Sequence, residues 1–183
     1  MKEQKMKTIA EQLSTYKSVH LNQKNIQTHF IGIPLIIWSV ALLLTSLSYN
    51  IVLAEFSLNV TLTAVIAIGV LIYYCLLSLP LALLAFPLFG GLIFSAITMA
   101  GVEHKYFIAI AAFIAGWVIQ FIGHGFEKAK PAFVDDLNQL SIGPLFLIAE
   151  IYFLLGFGKT LNQKITAMAI DKRKSFEQAK RAG

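Results

Sequence analysis

Gln120, His124 and Glu127 stand at i, i+4 and i+7, a spacing that puts all three on one face of a helix. An imidazole and a carboxylate one turn apart can bind a metal or trade a proton. Gly123 and Gly125 flank the histidine and permit close approach of a backbone or ligand, and Pro131 ends the stretch. Far upstream, His20, Asn25 and His29 follow one another in polar sequence. Nine residues at about 100° each would set His20 and His29 ~180° apart on one unbroken helix. If both serve one site the helix must break between them, and residues 21–25 are the place for it. Imidazoles with one carboxylate suit Fe(II), Zn(II) or Mn(II), and a two-His-one-carboxylate triad leaves positions open for substrate and oxygen. On that reading His20, His29, His124 and Glu127 are the metal-ligating and catalytic set. Asn25 and Gln120 would hydrogen-bond the ligating rings from behind. Glu150, alone in an apolar run, reads as support for the site, as a helix-packing hydrogen bond or as the partner of a lysine. The competing reading of the histidines is interfacial, with polar tips turned toward water.

These groups must be carried by membrane helices. Of 183 residues, 57% are hydrophobic and 14% charged, far from the soluble balance. Residues 56–102 contain no Asp, Glu, Lys or Arg, room for two crossings of ~20 residues each. The net charge of +5 therefore belongs to cytoplasmic flanks and anionic head groups of membrane lipids, not to nucleic acid. The single Cys75 rules out an intramolecular disulfide.

The expected fold is all-α, a polytopic membrane bundle formed as one domain over 1–183. Residues 1–29 form an interfacial N-terminal segment, with Lys2, Lys5, Lys7, Lys17 and Lys24 against Glu3 and Glu11. They lack the apolar region of a signal peptide. Ile9, Leu13, Tyr16 and His20 recur at three- and four-residue steps, predicting an amphipathic helix. Membrane helices occupy 30–158. The spacing predicts a first crossing over 30–48 with Pro34 in its opening turns, and a loop over 49–58 containing Glu55. A second crossing runs over 59–79, a third from about Pro80 to Gly101, and a fourth over 106–123 after the loop Glu103-His104-Lys105. Residues 124–141 are polar, with Asp135 and Asp136. Residues 142–158 make an apolar segment with Gly143-Pro144 at its start and Glu150 inside it. The tail over 159–183 carries seven basic residues and two acidic ones. A fifth crossing would put that tail outside, against the positive-inside rule. Four full spans plus one re-entrant or interfacial segment keep both termini cytoplasmic, with 14 of the 15 Lys and Arg on that side and Lys105 the exception. His20, His29 and His124 then share one face, and His104 falls on the other.

The pattern His20-x4-Asn25-x3-His29-x2-Gly32-x-Pro34 resembles the N-terminal motif of the Mpo-type 2-hydroxy fatty acid dioxygenases. These include a fungal endoplasmic-reticulum enzyme of phytosphingosine breakdown and small bacterial membrane proteins. Gln120-Phe-Ile-Gly-His124, Glu127 and Pro131-Ala132 are similar to the second motif of that family, and Ile142-Gly-Pro144 with Glu150 to the third. The resemblance spans roughly residues 16–158 and leaves the basic tail without a counterpart. It implies an Fe(II)-dependent α-oxidation in which a 2-hydroxy long-chain fatty acid and O2 give CO2 and an acid one carbon shorter. The essential histidines of the family fall on His20, His29 and His124, and its motif carboxylates on Glu127 and Glu150. The membrane is then that of the endoplasmic reticulum or the bacterial inner membrane. The chemistry agrees: a 2-hydroxy carboxylate offers two oxygens for chelation, and burying its tail among helices contributes ~0.8 kcal/mol per CH2.

The rival class is a transporter or ion-relay protein using His124 and Glu150. Against it, the charge-free run over 56–102 offers no polar path across a bilayer. A non-catalytic scaffold or lipid-binding protein is the third class.

Overall fold

The computed structural model describes residues 7–53, 56–127, 129–134 and 136–182. Lys2, Glu3, Lys5, Glu55 and Asp135 lie outside the described residues. Among those described, the chain forms seven α-helices and one two-stranded hairpin, in two compact units.

One unit joins the start of the chain, up to Gln27, to its end, from Ile122 onward. It opens with α1 (Ile9–Lys17). Thr8 accepts the Glu11 N–H through its hydroxyl, and the Glu11 carboxylate accepts the Thr8 N–H at 2.7 Å, a reciprocal capping box. The Thr8 N–H and the Thr8 hydroxyl, which also donates to that carboxylate at 2.8 Å, hold the Glu11 carboxyl below the usual carboxylate range. Ala10, Leu13 and Tyr16 are buried, and α1 packs on α6 (Gln139–Leu154) and on α7 (Lys159–Ala182). Helix α6 is buried almost all round between Ile142 and Ala149, which is how a helix apolar on every face must sit. At 16 residues it spans ~24 Å, short of a hydrocarbon core of ~30 Å. Gly156 and Gly158, at φ 90° and 61°, turn the chain from α6 into α7, a conformation that costs glycine nothing. The tail left without a counterpart is thus a 24-residue helix that packs on α1 and buries Ile165 and Ala169.

The other unit, residues 28–121, holds most of α2 (Gln23–Leu44) and of α5 (Lys105–Glu127), and all of α3 (Leu62–Leu77) and α4 (Leu79–Thr98). Its core is Ala41, Leu42, Ala96 and Ala109, with Trp38, Leu43, Ile93 and Met99 against them. Gly32 and Gly116 bring α2 and α5 into backbone contact: a Cβ on Gly32 would stand 2.9 Å from the Gly116 carbonyl oxygen. Ile66, Ile68, Phe86, Phe94 and Phe107 are exposed, an outward apolar surface on α3, α4 and α5.

Several boundaries differ from expectation. The loop over 49–58 is instead an antiparallel hairpin, β1 (Ser48–Leu53) with β2 (Phe56–Thr61). The fold is therefore nearly all helical but not all-α. Tyr, Ile and Val in β1 and Phe, Val and Thr in β2 favour strand, and Asn59 donates to the opposite Asn50 across the pair at 2.7 Å. The second helix accordingly starts three residues late. The first starts seven residues early, so Pro34 lies well inside it, and His29 belongs to the helix proper. Gly123 and Gly125 do not end α5, which runs on to Glu127. Among the described residues three helices, Gln23–Leu44, Leu79–Gly101 and Lys105–Glu127, are long and apolar enough to cross a membrane, against the four expected. Helix α3 has 16 residues.

Candidate metal centre

His20 sits in the turn that follows α1. Ser18 caps that helix, and the His20 N–H donates to the Lys17 carbonyl at 2.9 Å. Its ring Nδ1 lies 2.6 Å from the Tyr16 carbonyl oxygen. A carbonyl only accepts, so Nδ1 carries the proton and Nε2 keeps its lone pair for another partner. Metal-ligating histidines are held in this way. The Tyr16 ring stacks on the imidazole at 4.0 Å and 2°, and Phe146 of α6 stands 5.0 Å from Tyr16 and 5.9 Å from His20. Gly143 makes the room: a Cβ there would meet the Tyr16 hydroxyl at 2.9 Å.

His124, in the last turn of α5, meets His20 edge-on at 4.9 Å. His29 follows Asn25 by one turn on α2. His20, His29 and His124 each offer one ring nitrogen, and the three nitrogens lie within 4.8 Å of one another. All three residues are buried, at 1%, 2% and 8% exposure, which no interfacial snorkelling histidine would be. The chain does break before His29, but over residues 18–22 and not over 21–25: α1 stops at Lys17 and α2 has begun by Gln23, so Asn25 is helical. His104 lies in the turn before α5 with φ 28° and takes no part in the group.

Glu127 does lie on the His124 face of α5 and is buried. Its carboxylate is taken up by the turn. Oε2 accepts the Asn22 N–H at 2.7 Å and the Asn25 amide at 3.3 Å, and Oε1 accepts from Arg173 at 3.3 Å. Among the described residues the candidate ligand group is the three imidazoles, without a carboxylate. Asn25 also donates to the Val19 carbonyl at 3.3 Å, so it and Glu127 brace the loop that carries His20. Gln120, one turn before His124, is buried with its side-chain carbons beside Gly32. Glu150 pairs with Lys17 at 2.8 Å, the lysine partner foreseen as one of its roles.

Tyr16, Asn22, Phe146 and Arg173 are neighbours of the site that sequence reasoning missed. Tyr16 carried a signal, four residues before His20, the distance at which a backbone carbonyl meets a side chain one turn on. Asn22 and Arg173 carried none, since their partner is Glu127, over a hundred residues and 46 residues away respectively.

A family described as 2-hydroxy-palmitic acid dioxygenase Mpo1-like matches residues 6–155. The chain is 36% identical over 155 residues to the 2-hydroxy-palmitic acid dioxygenase MPO1 of Saccharomyces cerevisiae, covering 81% of this chain and 82% of the yeast protein. No solved structure matches it. The matched span contains His20, His29, His124, Tyr16, Asn22, Asn25 and Glu127, whereas Arg173 lies on α7 beyond it. The chain belongs to the Mpo1-like family of dioxygenases.

Proposed function

We propose that this protein is an Fe(II)-dependent dioxygenase that converts 2-hydroxy long-chain fatty acids and O2 into CO2 and acids one carbon shorter. The observation that carries the reading is the convergence of the His20, His29 and His124 ring nitrogens within 4.8 Å in buried surroundings. The donor set fits Fe(II): three imidazoles with no thiolate, one of them already fixed as the tautomer that presents Nε2. Those three would hold the metal, which when bound supplies the electron that lets a spin-paired acid react with O2. The rest falls to the protein. The Tyr16 carbonyl keeps the proton on His20 Nδ1. The Tyr16 and Phe146 rings cover the imidazole and keep water from that side. Glu127, through Asn22 and Asn25, holds the turn that aims His20, acting from behind the ligands. Long acyl chains are supplied by the bilayer itself, and the name of the yeast relative supports the 2-hydroxy acid as the class of substrate.

Purified protein is expected to carry about one iron per chain and to turn over a 2-hydroxy long-chain acid with O2 uptake and a one-carbon-shorter product. The unhydroxylated acid should be inert, because it lacks the second chelating oxygen. Mass spectrometry of the products with an oxygen electrode decides it. Stoichiometric zinc and turnover indifferent to anaerobiosis would sink the oxygenase reading.

We further propose that both termini are cytoplasmic, in a bacterial inner membrane or the endoplasmic reticulum. The packing of α1 against α7 supports a shared face: Lys172 of α7 donates to Ser14 of α1 at 2.9 Å. A shared face requires an even number of crossings, so α3 crosses despite its length, with its neighbours or a locally thinner bilayer making up the deficit. The basic residues choose the cytoplasmic side. Single cysteines at positions 7 and 181 should therefore label from the same side, and opposite labelling would refute the arrangement.

A further inference from the structure

Two helix ends meet beside the histidines. Helix α1 ends at Lys17, with His20 three residues on, and α5 ends at Glu127, three residues after His124. The last carbonyls of a helix lack partners within it and form its negative pole. Two such poles in one place need a cation, and the segment that supplies it is not part of the matched family span. The Arg173 guanidinium of α7 donates through Nη1 to the Ser18 carbonyl at 3.4 Å and to Glu127 Oε1 at 3.3 Å. Through Nη2 it donates to the Glu127 carbonyl at 3.2 Å. Its Nε donates to Glu177 at 2.7 Å, one turn along α7, which fixes the plane of the fork. The Arg173 side chain is 19% exposed and that of Glu127 4%, so these bonds are little screened by water.

We propose that Arg173 is a positioning residue for the histidine centre. One planar fork ties the end of the helix that leads into His20 to the end of the helix that bears His124, and it orients the carboxylate that holds the turn between them. A lysine cannot do the same, because its three donors radiate from one nitrogen and do not span the ends of two helices as the spread planar fork does. The neighbouring Lys172 is bonded elsewhere. It donates to the Glu11 carbonyl and to the Ser14 and Thr15 hydroxyls, all on α1. It fastens α7 to α1 and touches neither Glu127 nor the turn. The proposal rests on the histidines being a metal centre, and the two adjacent cations allow fastening to be separated from positioning.

The test uses the full-length protein in detergent. Co(II) affinity is measured by chelator competition and by the visible spectrum of the bound ion. Backbone amide exchange is followed over residues 18–22, and Tm is recorded for every variant. Arg173→Ala is expected to weaken Co(II) binding about 10- to 100-fold, the usual cost of losing an outer support of a metal ligand. It should also change the Co(II) spectrum and speed exchange of the Asn22 amide, whose acceptor is Glu127. Arg173→Lys, which keeps charge and fold, should fall between wild type and alanine. Lys172→Ala should lower Tm while leaving Co(II) affinity and spectrum as in wild type. Wild-type affinity and exchange in Arg173→Ala would overturn the proposal, and so would equal losses of affinity in the Arg173 and Lys172 alanine variants. A wild-type protein that takes up no Co(II) would instead sink the metal reading itself.

Discussion

Alanine at His124 is expected to strip the protein of metal and of turnover together. The three ring nitrogens are the whole candidate ligand group among the described residues, and no carboxylate stands ready to replace a lost one, since Glu127 is bonded to Asn22, Asn25 and Arg173. The loss should therefore exceed the roughly 10- to 100-fold that removal of an outer partner costs. His20→Ala and His29→Ala should behave alike. The comparison residue is His104, in the turn before α5. His104→Ala should keep both metal and activity, and His104→Gly should be tolerated better still, because φ 28° favours glycine. Iron content and turnover are measured at matched expression, with folding checked by gel filtration in detergent. A metal-free, inactive His104→Ala beside an active His124→Ala would overturn the assignment of the centre.

How far the chain could be read before its structure depended on the range of each interaction. The one-face spacing of Gln120, His124 and Glu127 was legible because helical period is local, although the helix expected over 106–123 stopped short of His124 and α5 carries all three. The break between His20 and His29 was legible from angle alone. Its position was set by the end of α1, where Ser18 closes the helix. The role of Glu127 was not legible. Spacing shows that a carboxylate faces the histidine side, but whether it reaches a metal or a backbone N–H depends on where the 18–22 turn lies. The helix boundaries failed for a related reason. Gly123 and Gly125 are weak helix formers, yet no Cβ-sized obstacle lies near Gly125, and the buried Glu127 rewards carrying the helix on. The hairpin was missed because its arms are short and carry Ser48, Asn50, Ser57 and Asn59 among their apolar residues, as a loop does, and only strand preference in both arms, with Asn50 opposite Asn59, marks it. The tail read as a basic cytoplasmic run. Its packing on α1 goes with the burial of Ile165 and Ala169, two small commitments in a polar sequence.

Breaking the Lys17–Glu150 pair is expected to be the most damaging change outside the histidines. The two groups meet at 2.8 Å with side chains 11% and 18% exposed, and the lysine Nζ lies over the Phe146 ring, 5.9 Å from its centroid. Lys17→Met keeps the stem and removes the charge, which strands the Glu150 carboxylate in α6 among buried apolar residues. Removing one partner of a buried pair costs about 3–5 kcal/mol, and residual exposure here sets the lower end, about 3 kcal/mol. Replacing both partners leaves no stranded charge, so the double variant Lys17→Met/Glu150→Leu should regain most of that loss. Unfolding of the two single variants and the double variant in detergent gives the coupling directly, and a double variant as unstable as the sum of the singles would refute it. The same proteins separate the two roles left to Glu150. If the carboxylate serves only to neutralise Lys17 and seat α1 on α6, the double variant keeps His20 in place and retains turnover. If Glu150 instead relays protons, as the transporter reading requires, the double variant will be folded and inactive, because stability returns with the paired replacement and a titrating group does not.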